Sequence, residues 1–289
     1  MKTNAEVYNQ LFVNRDPSSN KSDYGRNLII GGSRQYPGAP MISASFSSCS
    51  GVGYTALAVP DSIYQATISR MPLTCIMELI PNKDECFLVP QNDQEKKNIM
   101  KYDSILFGNG VKDDKANYDF LSFLIENYEG RLLIDATGLR LLSEYGEDVL
   151  LKKKPKSFIV LTPHLGEACS LFNMKTKSNK SQDYLEKTNE FTLKYQVTIL
   201  LKSSISYLCQ SGKNILLASP ETPSLAKAGS GDGLAGFLSG VLAYGVKWFN
   251  EIELIAFVND FIHIKAHECE EEQPAGFINI LNILKTLRK

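Results

Sequence analysis

Short, almost wholly apolar runs recur along this chain. Each is closed by glycine, proline or a single polar residue. The runs at 27–30, 55–59, 73–79, 104–107, 132–134, 157–161 and 197–201 predict strands. Between them lie segments with apolar residues at helical spacing, such as Phe120, Leu121, Phe123 and Leu124 in the stretch 117–127. The same spacing predicts helices at 41–50, 62–69, 139–145 and 182–195, and a terminal helical block of three segments at 233–245, 251–270 and 276–287. Residues 1–26 read as a short polar helix and a loop, and 205–209 with 214–218 read as a hairpin about Ser211-Gly212-Lys213. Strands that are apolar throughout, rather than alternating, belong to a sheet buried on both faces. Alternation with amphipathic helices makes that sheet mostly parallel. No internal repeat or low-complexity linker interrupts the pattern, so residues 1–289 are expected to form one α/β domain.

The polar motifs cluster where the predicted strands end: Gly31-Gly32-Ser33, Gly108-Asn109-Gly110, Asp135, Thr162–Glu167 and Lys202. Ligands of parallel sheets bind at those carboxyl ends. The densest motif is Ala226-Lys227-Ala228-Gly229-Ser230-Gly231-Asp232-Gly233-Leu234-Ala235-Gly236. Its glycines let backbone N–H groups converge, and a helix N-terminus behind them adds partial positive charge. An acid in the same loop suggests that something beside the bound anion loses a proton. The plainer reading is a loop-to-helix turn with Asp232 as N-cap. In Thr162-Pro163-His164-Leu165-Gly166-Glu167, the three-residue spacing of His164 and Glu167 lets both face one site. Here too a capped helix, with Glu167 complementing the dipole, is the plainer alternative.

Taken together these segments resemble the ribokinase-like superfamily, and within it the NAD(P)H-hydrate dehydratases. The resemblance starts at Arg15, Lys21 and Tyr24-Gly25. It runs through Ile30-Gly31-Gly32-Ser33, Tyr36-Pro37-Gly38-Ala39-Pro40, Gly51-Val52-Gly53, Gly108-Asn109-Gly110 (similar to a Gly-Pro-Gly loop) and Asp135-Ala136. Thr162-Pro163-His164 with Gly166-Glu167, Lys202, and Ala228–Asp232 with Leu234-Ala235-Gly236 complete it. Sugar and vitamin kinases share the last block; the Thr-Pro-His and Gly-Gly-Ser elements favour the dehydratases. The resemblance implies a three-layer ribokinase-like fold without a separate lid. It also implies ADP- or ATP-dependent dehydration of (6S)-hydrated NADH or NADPH, through phosphorylation of the C6 hydroxyl and loss of phosphate. Asp232 would be the base. Ala39, Gly110, His164 and Asp232 would bind the hydrate; Lys202, Ser203, Ser204, Ile205 and Ser206 with Gly229, Ser230 and Gly231 would bind the nucleotide. Glu167 would hold Mg²⁺ through water, and the chain would be a homo-oligomer. Ser203, Lys112, Thr137, Thr222 and Gly233 depart from the family pattern. Ser203 and Lys112 border the implied ligands, which keeps two further readings open: a kinase of a small alcohol, and a nucleotide-binding protein without catalysis.

Composition narrows the field. With 31 basic and 32 acidic residues the formal net charge is −1, which favours neither nucleic acid nor an anionic membrane as partner. No apolar run approaches the roughly 20 residues of a membrane span, and the first ten residues lack the apolar core of a signal peptide. Six cysteines are scattered without a Cys-x-x-Cys pair, so they read as reduced thiols and the expected location is cytoplasmic. His263 and His267 have zinc-like spacing but no accompanying Glu motif, and read as ordinary helical histidines. Gly31-Gly32-Ser33 is neither a Walker loop nor a dinucleotide fingerprint, which sets hydride transfer aside.

Overall fold

The structure, a computed structural model, describes residues 2–287. Its strands are β1 (Arg26–Ile30), β2 (Tyr54–Ala58), β3 (Cys75–Met77), β4 (Asn82–Lys83), β5 (Cys86–Phe87), β6 (Ser104–Phe107), β7 (Arg131–Ile134), β8 (Phe158–Leu161), β9 (Thr198–Leu201), β10 (Ser206–Gln210) and β11 (Lys213–Leu217). Its α-helices are α1 (Asn4–Tyr8), α2 (Gly38–Ser48), α3 (Asp61–Ile68), α4 (Asp93–Met100), α5 (Lys115–Asn127), α6 (Thr137–Tyr145), α7 (Leu165–Leu171), α8 (Leu185–Tyr195), α9 (Ser230–Gly245), α10 (Glu251–Glu272) and α11 (Ile280–Thr286).

Nine strands form one sheet in the order β11-β10-β9-β8-β7-β6-β1-β2-β3. The seven from β9 to β3 are parallel, and the β10–β11 hairpin is added antiparallel at one end. Side chains alternate across this sheet and both sets are buried. Leu28, Ile30, Ile105, Phe107, Leu132 and Ile134 pack with the apolar stripes of α5, α6 and α8. Ile29, Leu57, Leu106, Leu133, Val160 and Leu200 pack under α2, α9 and α10. That double burial is why the strands read as unbroken apolar runs.

α9 lies between the sheet, α2 and α10, and every residue from Gly233 to Gly245 is buried. A Cβ on Gly236 would sit 2.1 Å from the Ser43 carbonyl oxygen of α2, so only glycine permits this approach of the two helices. The sheet order reverses between β1 and β6. The chain after β1 enters α2 on one face, and the chain after β6 leads to α5 on the other. A crevice opens at such a reversal, outside the carboxyl ends of the strands.

Several predicted elements differ. The strand expected at 73–79 shrinks to β3, an edge strand bounded by Pro72 and Pro81, with Leu73 and Leu79 exposed. The β4–β5 hairpin turns through Asp84 and Glu85, both at positive φ, without the Asn-Gly signature of such turns. α4 buries only Ile99, too little to create a periodic signal. The helix expected at 182–195 starts as a 3₁₀ turn, Ser181–Tyr184, before α8. The last predicted helix resolves into a 3₁₀ turn, Ala275–Phe277, and α11, which Asn279 caps. α9 begins three residues earlier than predicted, at Ser230. Gly229 is its N-cap and Asp232 its third residue, so Asp232 is not the cap.

Candidate active site at the carboxyl ends of the strands

Gly229 takes φ 92° and turns the chain into α9. The N–H groups of Gly231 and Asp232 lie in the first helical turn, where no intrahelical acceptor exists. They face outward at the positive end of the helix. The Ser230 hydroxyl is buried there without a hydrogen-bond partner. A Cβ on Gly231 would fall 3.4 Å from the Lys202 Nζ, so an ammonium stands against the same turn. Ser43 of α2 donates to the Asp232 carbonyl oxygen at 3.0 Å and anchors the turn from behind. This set of donors matches a phosphate group.

Lys202 continues the chain beyond β9. Its N–H donates to the Pro163 carbonyl at 2.8 Å, and it forms a parallel bridge with His164. The extended pairing sets the His164 loop beside the lysine. Lys202 Nζ donates to Asp135 Oδ1 at 2.8 Å, and Thr162 Oγ1 donates to the same oxygen at 2.8 Å. Asp135 is only 2% exposed. Burial pulls the Lys202 ammonium toward deprotonation, but Asp135, Glu167 and Asp232 outweigh it and hold its pKa above the usual lysine range. Asn109 joins the second carboxylate: its Nδ2 lies 2.5 Å from Asp232 Oδ1 and 3.2 Å from Asp135 Oδ2. Burial pushes the Asp232 carboxyl up to about 6, against the lowering effect of the Asn109 hydrogen bond. Asp135 and Glu167 raise it further, and Lys202 opposes them.

His164 is the N-cap of α7. Its Nδ1 accepts from the N–H groups of Gly166 at 2.9 Å and Glu167 at 3.2 Å, so the proton of the neutral ring is on Nε2. Glu167 Oε2 accepts from the His164 N–H at 2.9 Å, closing a capping box. The plainer reading of this motif, a capped helix with Glu167 in its first turn, therefore holds, and His164 lines the cavity as well. Burial raises the Glu167 carboxyl, with Lys202 pulling the other way.

A cavity of about 630 Å³ opens here, lined by His164, Lys202, Ser203, Ser204, Ser206, Ser230 and Gly231, with the 221–227 loop and α10 opposite. Ile205 is exposed and lies outside its lining. Gly229 turns behind it. Ala39 and Gly110 meet outside that lining: a Cβ on Gly110 would lie 3.1 Å from the Ala39 Cβ. Asp232 is also outside the lining; it follows the lining residue Gly231 and is bonded by Asn109 of the loop that carries Gly110. Asn109, Asp135 and Thr162 stand in the strand-end motifs of the sequence, but no role follows from the sequence for any of the three. Their signal was a polar side chain directly after an apolar run. His263 lies in α10, a helical histidine as expected. It faces the cavity, with Nδ1 2.6 Å from Thr222 Oγ1, while His267 is half-exposed beside Glu270.

A family model described as NAD(P)H-hydrate dehydratase matches residues 27–287. The chain belongs to the NAD(P)H-hydrate dehydratase family. It is 32% identical over 256 residues to a bifunctional NAD(P)H-hydrate repair enzyme of Methanothermobacter thermautotrophicus, covering 85% of this chain and 46% of that protein. A protein of the same description from Salinibacter ruber is 30% identical, covering 82% and 43%. The chain therefore spans about half the length of these relatives. Among solved structures, a ribokinase-like superfamily protein of Enterococcus faecalis V583 superposes with a TM-score of 0.77 at 23% identity, covering 99% of this chain and 93% of that one. An ADP/ATP-dependent NAD(P)H-hydrate dehydratase of Bacillus subtilis, co-crystallised with ATP and Mg²⁺, also gives 0.77, at 20% identity and 99% and 95% coverage. The fold is the three-layer ribokinase-like one, with its mostly parallel sheet between two layers of helices.

Proposed function

We propose that this chain dehydrates hydrated NADH or NADPH back to the reduced cofactor, using ADP or ATP as phosphoryl donor. The observation that carries this reading is a half-buried carboxylate, Asp232, in the first turn of a helix whose free N–H groups and adjacent ammonium form a phosphate cradle. Asp232 takes the proton of the C6 hydroxyl. The freed oxygen attacks the terminal phosphoryl of the nucleotide, which leaves shortened by one phosphate. The N–H groups of Gly231 and Asp232, together with Lys202, hold the charge that spreads over the transferring group. The ring nitrogen's lone pair then expels phosphate from C6, and loss of a C5 proton restores the double bond. Ala39 and Gly110 present backbone to the hydrate, and Ser203, Ser204 and Ser206 line the nucleotide side. Ile205 has no role in this reading.

Mg²⁺ would supply charge neutralisation of the phosphates. Glu167, with carboxylate oxygens close to the cradle, is of the donor type Mg²⁺ prefers. Among the described residues no group of three or more His, Cys, Asp or Glu is placed to hold a metal, so the ion would rest on water and phosphate oxygens. The reading takes the chain as a single domain working in the cytoplasm, where nucleotides and reduced nicotinamides occur together. Among the described residues no helix is long and apolar enough to cross a membrane. Sedimentation of the purified chain tests the homo-oligomer.

Mixing the hydrate with ADP or ATP and enzyme should restore the absorbance of reduced nicotinamide. Asp232→Asn should lower turnover by about 10²–10⁴-fold. Because Asp232 must be ionised to act as base, kcat/KM should fall about tenfold per pH unit below about 6. A stable phosphorylated alcohol as end product would make the chain a kinase instead.

A further inference from the structure

Asn109 is fully buried and lies outside the lining of the cavity. Its Nδ2 faces two carboxylates, Asp232 and Asp135. Ionised carboxylates only accept, so the amide cannot be turned the other way round. This orientation leaves its Oδ1 buried without a partner. An orphaned buried acceptor destabilises the fold. The chain tolerates it at the residue whose amide bonds the base's carboxylate. We infer that Asn109 is the positioning residue of the base: it clamps one oxygen of Asp232, joins that carboxylate to the Asp135–Lys202 pair, and leaves the other oxygen to meet the substrate hydroxyl. The linkage is continuous. It runs from α9 through the loop after β6 to Asp135 after β7, and from there to Thr162 after β8 and Lys202 after β9. One side chain at the crevice therefore registers the base against the residues that flank the cradle.

The inference rests on the proposed reaction but can be read without it. The charged groups facing Asp232 are Asp135, Lys202 and Glu167, while α2 contributes only the uncharged Ser43 hydroxyl. Removing the amide takes away a donor that favours the ionised carboxylate and leaves the charges in place. Its titration must then move upward.

The test uses the full chain with ¹³C-labelled aspartate side chains, Asp232 being assigned by its loss in Asp232→Asn. In Asn109→Leu, a near-isostere, and in Asn109→Ala, the Asp232 midpoint should rise by at least about half a pH unit. Turnover should fall about 10–100-fold, since a slightly misplaced base is costly. The acid limb of the rate profile should move with the midpoint, and the KM for nucleotide should stay within about twofold, because Lys202 and Thr162 still hold Asp135 when the amide is gone. An unmoved midpoint overturns the inference, whether turnover falls (a structural role) or stays within about twofold (no role). A wild-type chain that dehydrates no hydrate sinks the proposed reaction and leaves the titration to decide the role of Asn109.

Discussion

At position 232, burial and chemistry pull in opposite directions. The folded protein holds the carboxyl at about 6, above the 3.8 of a free aspartate. At pH 8 the group is ionised in both folded and unfolded chains, and only the folded one bears the burial penalty. As pH falls through about 6 toward 3.8, the folded form takes up its proton first and the penalty disappears. Asp232→Asn should therefore raise the melting temperature at pH 8, and this gain should shrink steadily toward pH 4. Thermal unfolding of the two proteins across that range checks it. Equal gains at both ends would mean that the carboxyl is not burdened by burial. The trade is common where a site needs a charge in a dry place. Asp135, more deeply buried, accepts hydrogen bonds from both Lys202 and Thr162.

At the scale of elements, the pattern of apolar runs placed every strand of the parallel core within one or two residues, apart from the shortened edge strand β3. Those strands are buried on both faces and had to be continuous. Legibility failed where elements rest on local geometry instead of burial. β4 and β5 are two residues each, and α4 is almost wholly polar. The site was readable as a set of strand ends, because a polar residue after an apolar run stands out. Which of those residues would bond to which was not readable. The Asn109–Asp135–Lys202 linkage depends on strand order, and β6, β7, β8 and β9 lie side by side only in the folded sheet. The close contact of α2 with α9 has a sharp test. Gly236→Ala would force a methyl group to 2.1 Å from the Ser43 carbonyl. Ser43 also fastens the Asp232 turn. The substitution should destabilise the protein by about 1–3 kcal/mol or more in denaturant titration. A change below about 0.5 kcal/mol would mean that the helices separate freely.

For the molecule as a whole, the reversal of strand order between β1 and β6 determines where chemistry can happen. It opens one crevice, and the chain places glycine loops on both of its walls. The cradle completes the site from the helix face, so catalysis needs both layers assembled. α9 is the piece that carries this dependence. From Gly233 onward it is enclosed on all sides, and its glycines give it little helical tendency of its own. Such a helix has no independent life in water. Its interior amides should trade hydrogen for deuterium only when the entire chain opens, and should rank with the slowest in the protein. Mass-spectrometric labelling of the peptide spanning α9 would read this directly; rapid labelling there while the β-strands stay protected would contradict it. If the helix is that well guarded, the machinery for the proposed phosphoryl transfer has no partially assembled form. A molecule in solution is either fully competent or fully undone, and mutations far from the crevice would lower the number of working copies without altering the rate of each.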